Sequence, residues 1–362
     1  MRRLLAPLSW LYAIVLYIRH WLYDSGIVGS ESFSVPTICI GNLSFGGTGK
    51  TPHTEYLIRF LKDKFNVAVL SRGYGRKTTG FVLAKDDTTY EQIGDEPLLY
   101  HKKYDNITVA VDEDRPRGVS RLMRQPQMPD VVLLDDAFQH RRIKPGMNIL
   151  LTEYYNLYKK DMLVPAGNLR DIKCAAKRAD IIIVTKSPRV LLPYDKRDVI
   201  KTIEAKPYQK VFFTYIDFQG LTPVTNAAKE TVLQDMKSVY LFCGIANPYP
   251  LEDYLKRKYN TLITNYFGDH HNFSDADIDA ILDGYKSVIG KSKIIVTTEK
   301  DLMRLTKHSY LNRFENVPLF TIPIEVRFND EKEEEIFKNL ILEYVGKNSR
   351  DSRFYQIEDK RL

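Results

Sequence analysis

The chain has 362 residues, 44% of them hydrophobic and 27% charged, with a net charge of +7. That composition is ordinary for a globular protein and excludes a disordered chain or a polytopic membrane protein, while the length allows two domains, each with its own core. The positive balance points to an anionic partner (a membrane surface, nucleic acid or a phosphorylated substrate), and the widely spaced Cys39, Cys174 and Cys243 lack metal spacing and favour buried thiols in a reducing compartment.

At the N-terminus, Met1-Arg2-Arg3 precedes an apolar run over 4–18 whose only polar side chains are Ser9, Tyr12 and Tyr17, closed by Arg19, His20, Trp21 and Tyr23. The run is short for the ~30 Å hydrocarbon core, and Pro7 is expected to interrupt it. Basic ends with Trp/Tyr flanks suit an amphipathic helix lying in the membrane interface. A signal peptide lacking a cleavage site and a plain buried helix are the competing readings.

Short β-branched runs over 35–40, 67–70, 107–111, 131–134, 148–151 and 181–185 then alternate with helix-length segments, the pattern of a doubly wound, mostly parallel α/β sheet. The first run leads into Ser44, Phe45, Gly46, Gly47, Thr48, Gly49, Lys50 and Thr51. Such a loop wraps phosphates with backbone N–H groups, neutralises them with lysine and offers a hydroxyl to magnesium, so a nucleoside triphosphate such as ATP with Mg2+ is the expected ligand. Ser44 stands where the usual pattern has glycine, and Gly46 and Gly47 can supply the positive φ angles instead. The next three strands run into SRGYGR, DEDR and DDAFQHRR, and strand C-termini line the crevice of such a sheet, so the four segments are expected to converge.

Three further acid-bearing segments carry candidate chemistry. The strand ending in Asp135 and Asp136 suits a magnesium site, although adjacent aspartates also serve as turn or cap residues. In Gly94-Asp95-Glu96-Pro97, Asp95 is a candidate base for an acceptor hydroxyl and equally a residue of a helix N-terminus. Asp269-His270-His271 lies in a later polar stretch, where His270 could reach Asp95 if two domains close. Arg72, Arg76, Arg115, Arg141, Arg142 and Arg170 fall near the expected strand ends, where guanidinium groups bind phosphate.

From about residue 210 the texture changes. Strands over 211–218 and 319–328 bracket a smaller α/β unit with strands near 239–243 and 294–297 and a helix over 275–289, which suggests a second domain on a two-stranded β linker. Asn329 or Asp330 caps a last helix with an acidic first turn, ended by Gly346, and a polar tail over 347–362 is expected to fray. The expected division is a membrane-associated helix at 1–26, a P-loop catalytic domain at 27–209, the smaller domain with its linker at 210–328, and a C-terminal helix and tail at 329–362.

Taken in order, APLSWLY, WLYDSG, GNLSFGGTGKTP, LSRGYGR, GDEP, VDEDR, LLDDAFQHRR, PAGNLRD, CGIANP, GDHHNF and TTEKD resemble the tetraacyldisaccharide 4'-kinases, the lipid A 4'-kinases of Gram-negative bacteria. The resemblance implies ATP-dependent phosphorylation of the 4'-hydroxyl of a lipid A disaccharide 1-phosphate by a peripheral or monotopic protein on the cytoplasmic face of the inner membrane. It implies Asp95 as catalytic base with His270 as its partner, and Lys50, Thr51, Arg115 and Arg170 near the phosphates. It also implies Thr51, Asp135, Asp136 and Asp171 around the metal; the family's glutamate after the LR pair is here Asp171, one methylene shorter. No nucleic acid or obligate protein partner is expected, since no concentrated basic run is present. A P-loop switch ATPase would use the same loop without a small acceptor, and a non-catalytic surface binder leaves GDEP and VVLLDD unexplained.

Overall fold

A computed structural model describes residues 2–348; residues 349–362, most of the expected tail, lie outside the described part. In chain order the strands are β1 (Thr37–Asn42), β2 (Val67–Ser71), β3 (Val82–Leu83), β4 (Ile107–Val111), β5 (Val131–Asp135), β6 (Met147–Glu153), β7 (Ile181–Thr185) and β8 (Lys210–Phe218). They continue with β9 (Thr222–Pro223), β10 (Ser238–Cys243), β11 (Thr261–Tyr266), β12 (Lys293–Thr298), β13 (Leu319–Ile322) and β14 (Ile324–Phe328).

One sheet has the order β14-β8-β7-β6-β1-β5-β2-β4-β3, parallel except for the outermost pairs β14/β8 and β3/β4. Its middle strands are apolar at successive positions because both faces are covered. Leu70, Leu134 and Val184 pack into the core on one face, and their neighbours Val69, Leu133 and Ile183 into the core on the other. Each such aliphatic side chain contributes on the order of 1.5–3 kcal/mol by leaving water. The chain switches direction about β1, with β6 on one side and β5 on the other. The four strands expected to lead into the site are contiguous here, β1-β5-β2-β4, so their carboxyl ends share one edge.

The second sheet, β11-β10-β12-β13-β9, is parallel apart from β9. The strand expected over 319–328 is in fact two: Pro323, which has no N–H for a ladder, separates β13 in the second sheet from β14 in the first. β11 was absent from the sequence reading; it is an edge strand with partly exposed residues. Between the sheets, Met303 of the helix Glu299–Leu305 packs with Tyr90, Ile93, Leu98 and Leu99, the last two from the helix Asp95–Lys103.

Three local expectations need correction, and a fourth is resolved. β1 begins at Thr37 rather than residue 35, since Pro36 can only accept, from Val132 N at 2.9 Å, and the strand runs on to Asn42. Gly346 does not end the last helix, Glu331–Asn348; Val345 is buried, Tyr344 Oη reaches Thr37, and Asn348 closes the end through Tyr344 O at 2.7 Å. Of the two cap candidates, Asp330 accepts from Lys332 N at 2.9 Å. Cys174 is exposed, whereas Cys39 and Cys243 are buried.

The N-terminal helix spans Ala6–Asp24. Pro7 does not interrupt it but lies in its first turn, where a missing N–H costs nothing. Ser9, Leu16 and His20 face the protein, while Trp10, Leu11, Ile14, Ile18 and Trp21 are exposed. Among the described residues, no helix is long and apolar enough to cross a membrane.

Candidate functional site

The loop after β1 solves the problem posed by Ser44 without a glycine. Ser44 pairs in extended conformation with Leu169, and Phe45 N donates to Asn168 O at 2.7 Å, so the first positive φ comes at Gly46 (104°) and the second at Gly49 (90°) rather than at the expected Gly47. Thr48 is buried and held by Asn42 Nδ2 at 2.8 Å and, through its carbonyl, by Thr185 Oγ1 at 2.9 Å. Gly49 starts the helix Lys50–Leu61, whose N-terminus carries no side-chain cap and no acidic residue in its first turn. Such an end favours an anion. Sequence reasoning missed His53, which is buried beneath this turn and lowered to about 4 by burial, hence neutral. Its Nδ1 donates to Gly49 O at 2.7 Å and its Nε2 accepts from Thr214 on β8 at 3.0 Å, tying the loop to the rim of the sheet.

Asp135 closes β5, and Asp136 follows with φ 47°, a left-handed conformation that non-glycine residues seldom adopt and that clusters at functional sites. Arg170 grips both oxygens of Asp136, and Lys50 Nζ is 3.7 Å away. Burial works against its charge, but Lys50 and then Arg170 hold the carboxyl below the usual range. Asp135 goes the other way: burial, then the nearby Glu96 and Asp136, push it up to about 7. Thr51 Oγ1 donates to Glu96 Oε1 at 2.6 Å, which leaves its lone pairs available. A surplus of buried negative charge beside an accepting hydroxyl is what a divalent cation would offset. No group of three or more His, Cys, Asp or Glu among the described residues forms a protein-only cage.

Asp95 opens the helix Asp95–Lys103 and is buried. His270, from the loop after β11 and itself at φ 56°, places Nδ1 3.0 Å from Asp95 Oδ2. The expected pairing of these two residues is therefore present. The sequence reading gave no role to Arg304 or Lys300 of the helix Glu299–Leu305, yet Arg304 binds Asp95 through Nε at 3.0 Å and through Nη2, and Lys300 is paired with Glu96. Burial opposes ionisation of Asp95, but the hydrogen bond with His270 and the charges of Arg304 and Lys300 hold it well below the usual carboxylate range. The same hydrogen bond raises His270 above its ordinary value.

Two of the anticipated site residues have other partners. Asp171 is fully buried with Oδ1 2.6 Å from His20 Nε2 of the N-terminal helix and 2.8 Å from Ile172 N, and Arg178 lies 3.5 Å from Oδ2. No described contact joins it to Thr51, Asp135 or Asp136; its described partners are His20, Ile172 and Arg178. Arg115 is 1% exposed and donates to the carbonyls of Asp112 (2.6 Å) and Asp135 (3.1 Å); it props the end of β5 instead of presenting an open guanidinium. Arg76, Arg141 and Arg142 pair with Glu113, Asp24 and Asp114, respectively.

The family model for tetraacyldisaccharide-1-P 4'-kinase matches residues 1–342. The chain is 42% identical to tetraacyldisaccharide 4'-kinase of Bacteroides thetaiotaomicron, over 98% of this chain and 96% of the relative. It is 44% identical to that of Parabacteroides distasonis, over 95% and 94%. Among solved structures, "apo" form LpxK from Aquifex aeolicus in complex with ATP is similar at 30% identity and a TM-score of 0.71, over 95% of this chain and 99% of that one.

The ion pair at Asp95 has a pH signature. A histidine raised in the folded state contributes stability that is fully present below its unfolded value, about 6.5, and is lost as pH climbs through the folded one. The difference in unfolding free energy between the unaltered protein and His270→Asn is therefore expected to be largest in mildly acidic buffer and to shrink above neutrality. A difference independent of pH in urea titrations would contradict the pairing.

Proposed function

The chain belongs to the tetraacyldisaccharide-1-P 4'-kinase family and is a lipid A 4'-kinase, and from that premise we propose how its residues divide the reaction. The phosphates of ATP lie in the loop 44–51 against the N-terminus of the helix Lys50–Leu61, with Lys50 offsetting their charge. Thr51, Asp135 and Asp136 would hold Mg2+, which would supply positive charge against the negative charge that builds on the phosphates. Arg170 keeps Asp136 ionised and oriented, and Arg115 supports the main chain of Asp135. One observation carries this reading: Thr51 and Glu96, the chain neighbours of Lys50 and Asp95, touch at 2.6 Å, so the phosphate loop and the candidate base belong to one site.

Asp95 accepts a hydrogen bond from the 4'-hydroxyl of the disaccharide 1-phosphate and aims its oxygen at the γ-phosphorus. As the new O–P bond forms and the bond to ADP breaks, the hydroxyl proton passes to Asp95, beside His270. A carboxylate held so far below its ordinary value is a weak base. The loose transition state of phosphoryl transfer asks for orientation more than base strength, so the arrangement suits the chemistry.

The exposed apolar stripe Trp10, Leu11, Ile14, Ile18 and Trp21 rests in the headgroup region at the cytoplasmic face of the inner membrane, bringing the cleft to a lipid acceptor. The antiparallel pair β8/β14, beside which the chain passes twice between the sheets, is the hinge about which the 27–209 and 210–328 units close.

Asp95→Asn is expected to lower kcat by about 10²–10⁴ while ATP affinity in calorimetry stays unchanged; turnover near that of the unaltered enzyme would refute the assignment. Replacing the exposed Trp10, Ile14 and Ile18 together by serine is expected to reduce co-flotation with anionic phospholipid vesicles without changing folding, and unaltered partitioning would refute the docking face.

A further inference from the structure

The guanidinium of Arg304 is 3% exposed and crosses from the second sheet to the first. Burying an arginine is costly unless every donor is matched, and isolated buried pairs seldom add net stability. Here four of the five N–H groups meet an acceptor oxygen, and Nη2 also lies 3.3 Å from His270 Nδ1. Nη1 donates to Asp301 Oδ1 at 2.9 Å and to Gly244 O at 3.0 Å, while Nε and Nη2 both go to Asp95 Oδ2. Asp301 is in turn fixed by Thr298 Oγ1 at 2.6 Å and by Gly244 N at 3.1 Å. Thr298 is also the N-cap of the helix Glu299–Leu305, accepting from Asp301 N at 3.1 Å. The ends of β10 and β12 and the first turn of this helix thus hold one guanidinium in one place.

Its target is a single oxygen. Oδ2 of Asp95 receives Nε and Nη2 of Arg304 and faces Nδ1 of His270 at 3.0 Å, whereas Oδ1 receives only Glu96 N, at 2.9 Å. A carboxylate oxygen has two lone pairs, so Oδ2 is saturated and Oδ1 keeps one free. We propose that Arg304 is a positioning residue of the kinase: by saturating Oδ2 of Asp95 from the second sheet, it fixes the carboxylate plane and leaves Oδ1 as the oxygen that meets the acceptor hydroxyl. This rests on the reading of Asp95 as the residue that orients the acceptor. Arg304 is buried and committed to Asp95, Asp301 and Gly244, so it acts through Asp95. It also makes the site an assembly of both sheets, because the 27–209 unit supplies the carboxylate and the 210–328 unit supplies what orients it. Lys300, one turn earlier on the same helix, does the equivalent for Glu96, which accepts the hydrogen bond from Thr51.

The test compares Arg304→Gln, Arg304→Lys and the double variant Asp301→Asn/Arg304→Gln, which removes a buried carboxylate along with the guanidinium and so spares the fold. Asp95→Asn is the control. The readouts are steady-state transfer from Mg-ATP to the disaccharide 1-phosphate across pH and calorimetric binding of a non-hydrolysable ATP analogue. Both glutamine variants are expected to lose about 100-fold in kcat and to keep analogue affinity and KM for ATP within about twofold. Arg304→Lys is expected to recover part of the rate.

The acidic limb of the rate profile is expected to move to higher pH in the glutamine variants, because Asp95 would then face only Lys300 and His270 as cations, against Glu96, Asp269 and Asp301 (Asp301 being neutral in the double variant). A glutamine variant that turns over within about twofold of the unaltered enzyme, while Asp95→Asn is inactive, overturns the role of Arg304 and leaves that of Asp95 standing. A slowed variant with an unmoved acidic limb also overturns it, since that is the mark of general structural damage. An active Asp95→Asn overturns both.

Discussion

A carboxylate withdrawn from water must meet opposite charge or take up a proton, and the edge of the large sheet gathers Asp95, Glu96, Asp135 and Asp136 within reach of one another. Each is handled differently. Asp136 is held ionised by Lys50 and Arg170, and Asp95 by His270 and Arg304. Glu96 is paired with Lys300 and accepts a hydrogen bond from Thr51. Among the described residues no cation directly contacts the Asp135 carboxyl, which rises to about 7. The imbalance at Asp135 is the local feature that suits a divalent ion, and the balance at Asp95 keeps its carboxylate charged and still.

That charge pattern also explains the architecture. The parallel sheet delivers the phosphate loop and the aspartate pair to one edge simply by strand order, but it cannot supply Arg304, Lys300 or His270. These come from the second sheet, through the helix Glu299–Leu305 and the loop after β11. The apolar contact of Met303 with Leu98 and Leu99 seats that helix, and the ion pairs define its register. A similar division holds at the other end of the chain: the N-terminal helix shows apolar residues outward and is held to the body by Ser9 to Leu163 O, by Arg19 to Gln139 O and by His20 to Asp171.

Much of this was legible in the sequence where local chemistry has a fixed spacing. The six β-branched runs became strands within a few residues, and the loop 44–51, the aspartates ending β5 and the Asp95–His270 pair fall at one site. What was not legible depends on docking rather than on pattern. Arg304 reads as an ordinary basic residue in a helix's last turn, because nothing in TTEKDLMRL signals that the helix will press that side chain against Asp95. Asp171 and Arg115 sit in motifs that suggest phosphate or metal, yet burial gave Asp171 to His20 and Arg115 to two carbonyls. Pro323 could have announced the split between β13 and β14, since a proline in the middle of a strand argues against continuity.

The central claim is that Oδ1 of Asp95 addresses the acceptor while Arg304 keeps Oδ2. A crystal structure with a non-hydrolysable ATP analogue, Mg2+ and the disaccharide 1-phosphate examines it most directly. The account predicts the 4'-oxygen within about 2.6–3.2 Å of Oδ1, with Arg304 still on Oδ2. A 4'-oxygen that faces another residue, or that has displaced Arg304 from Oδ2, would contradict it.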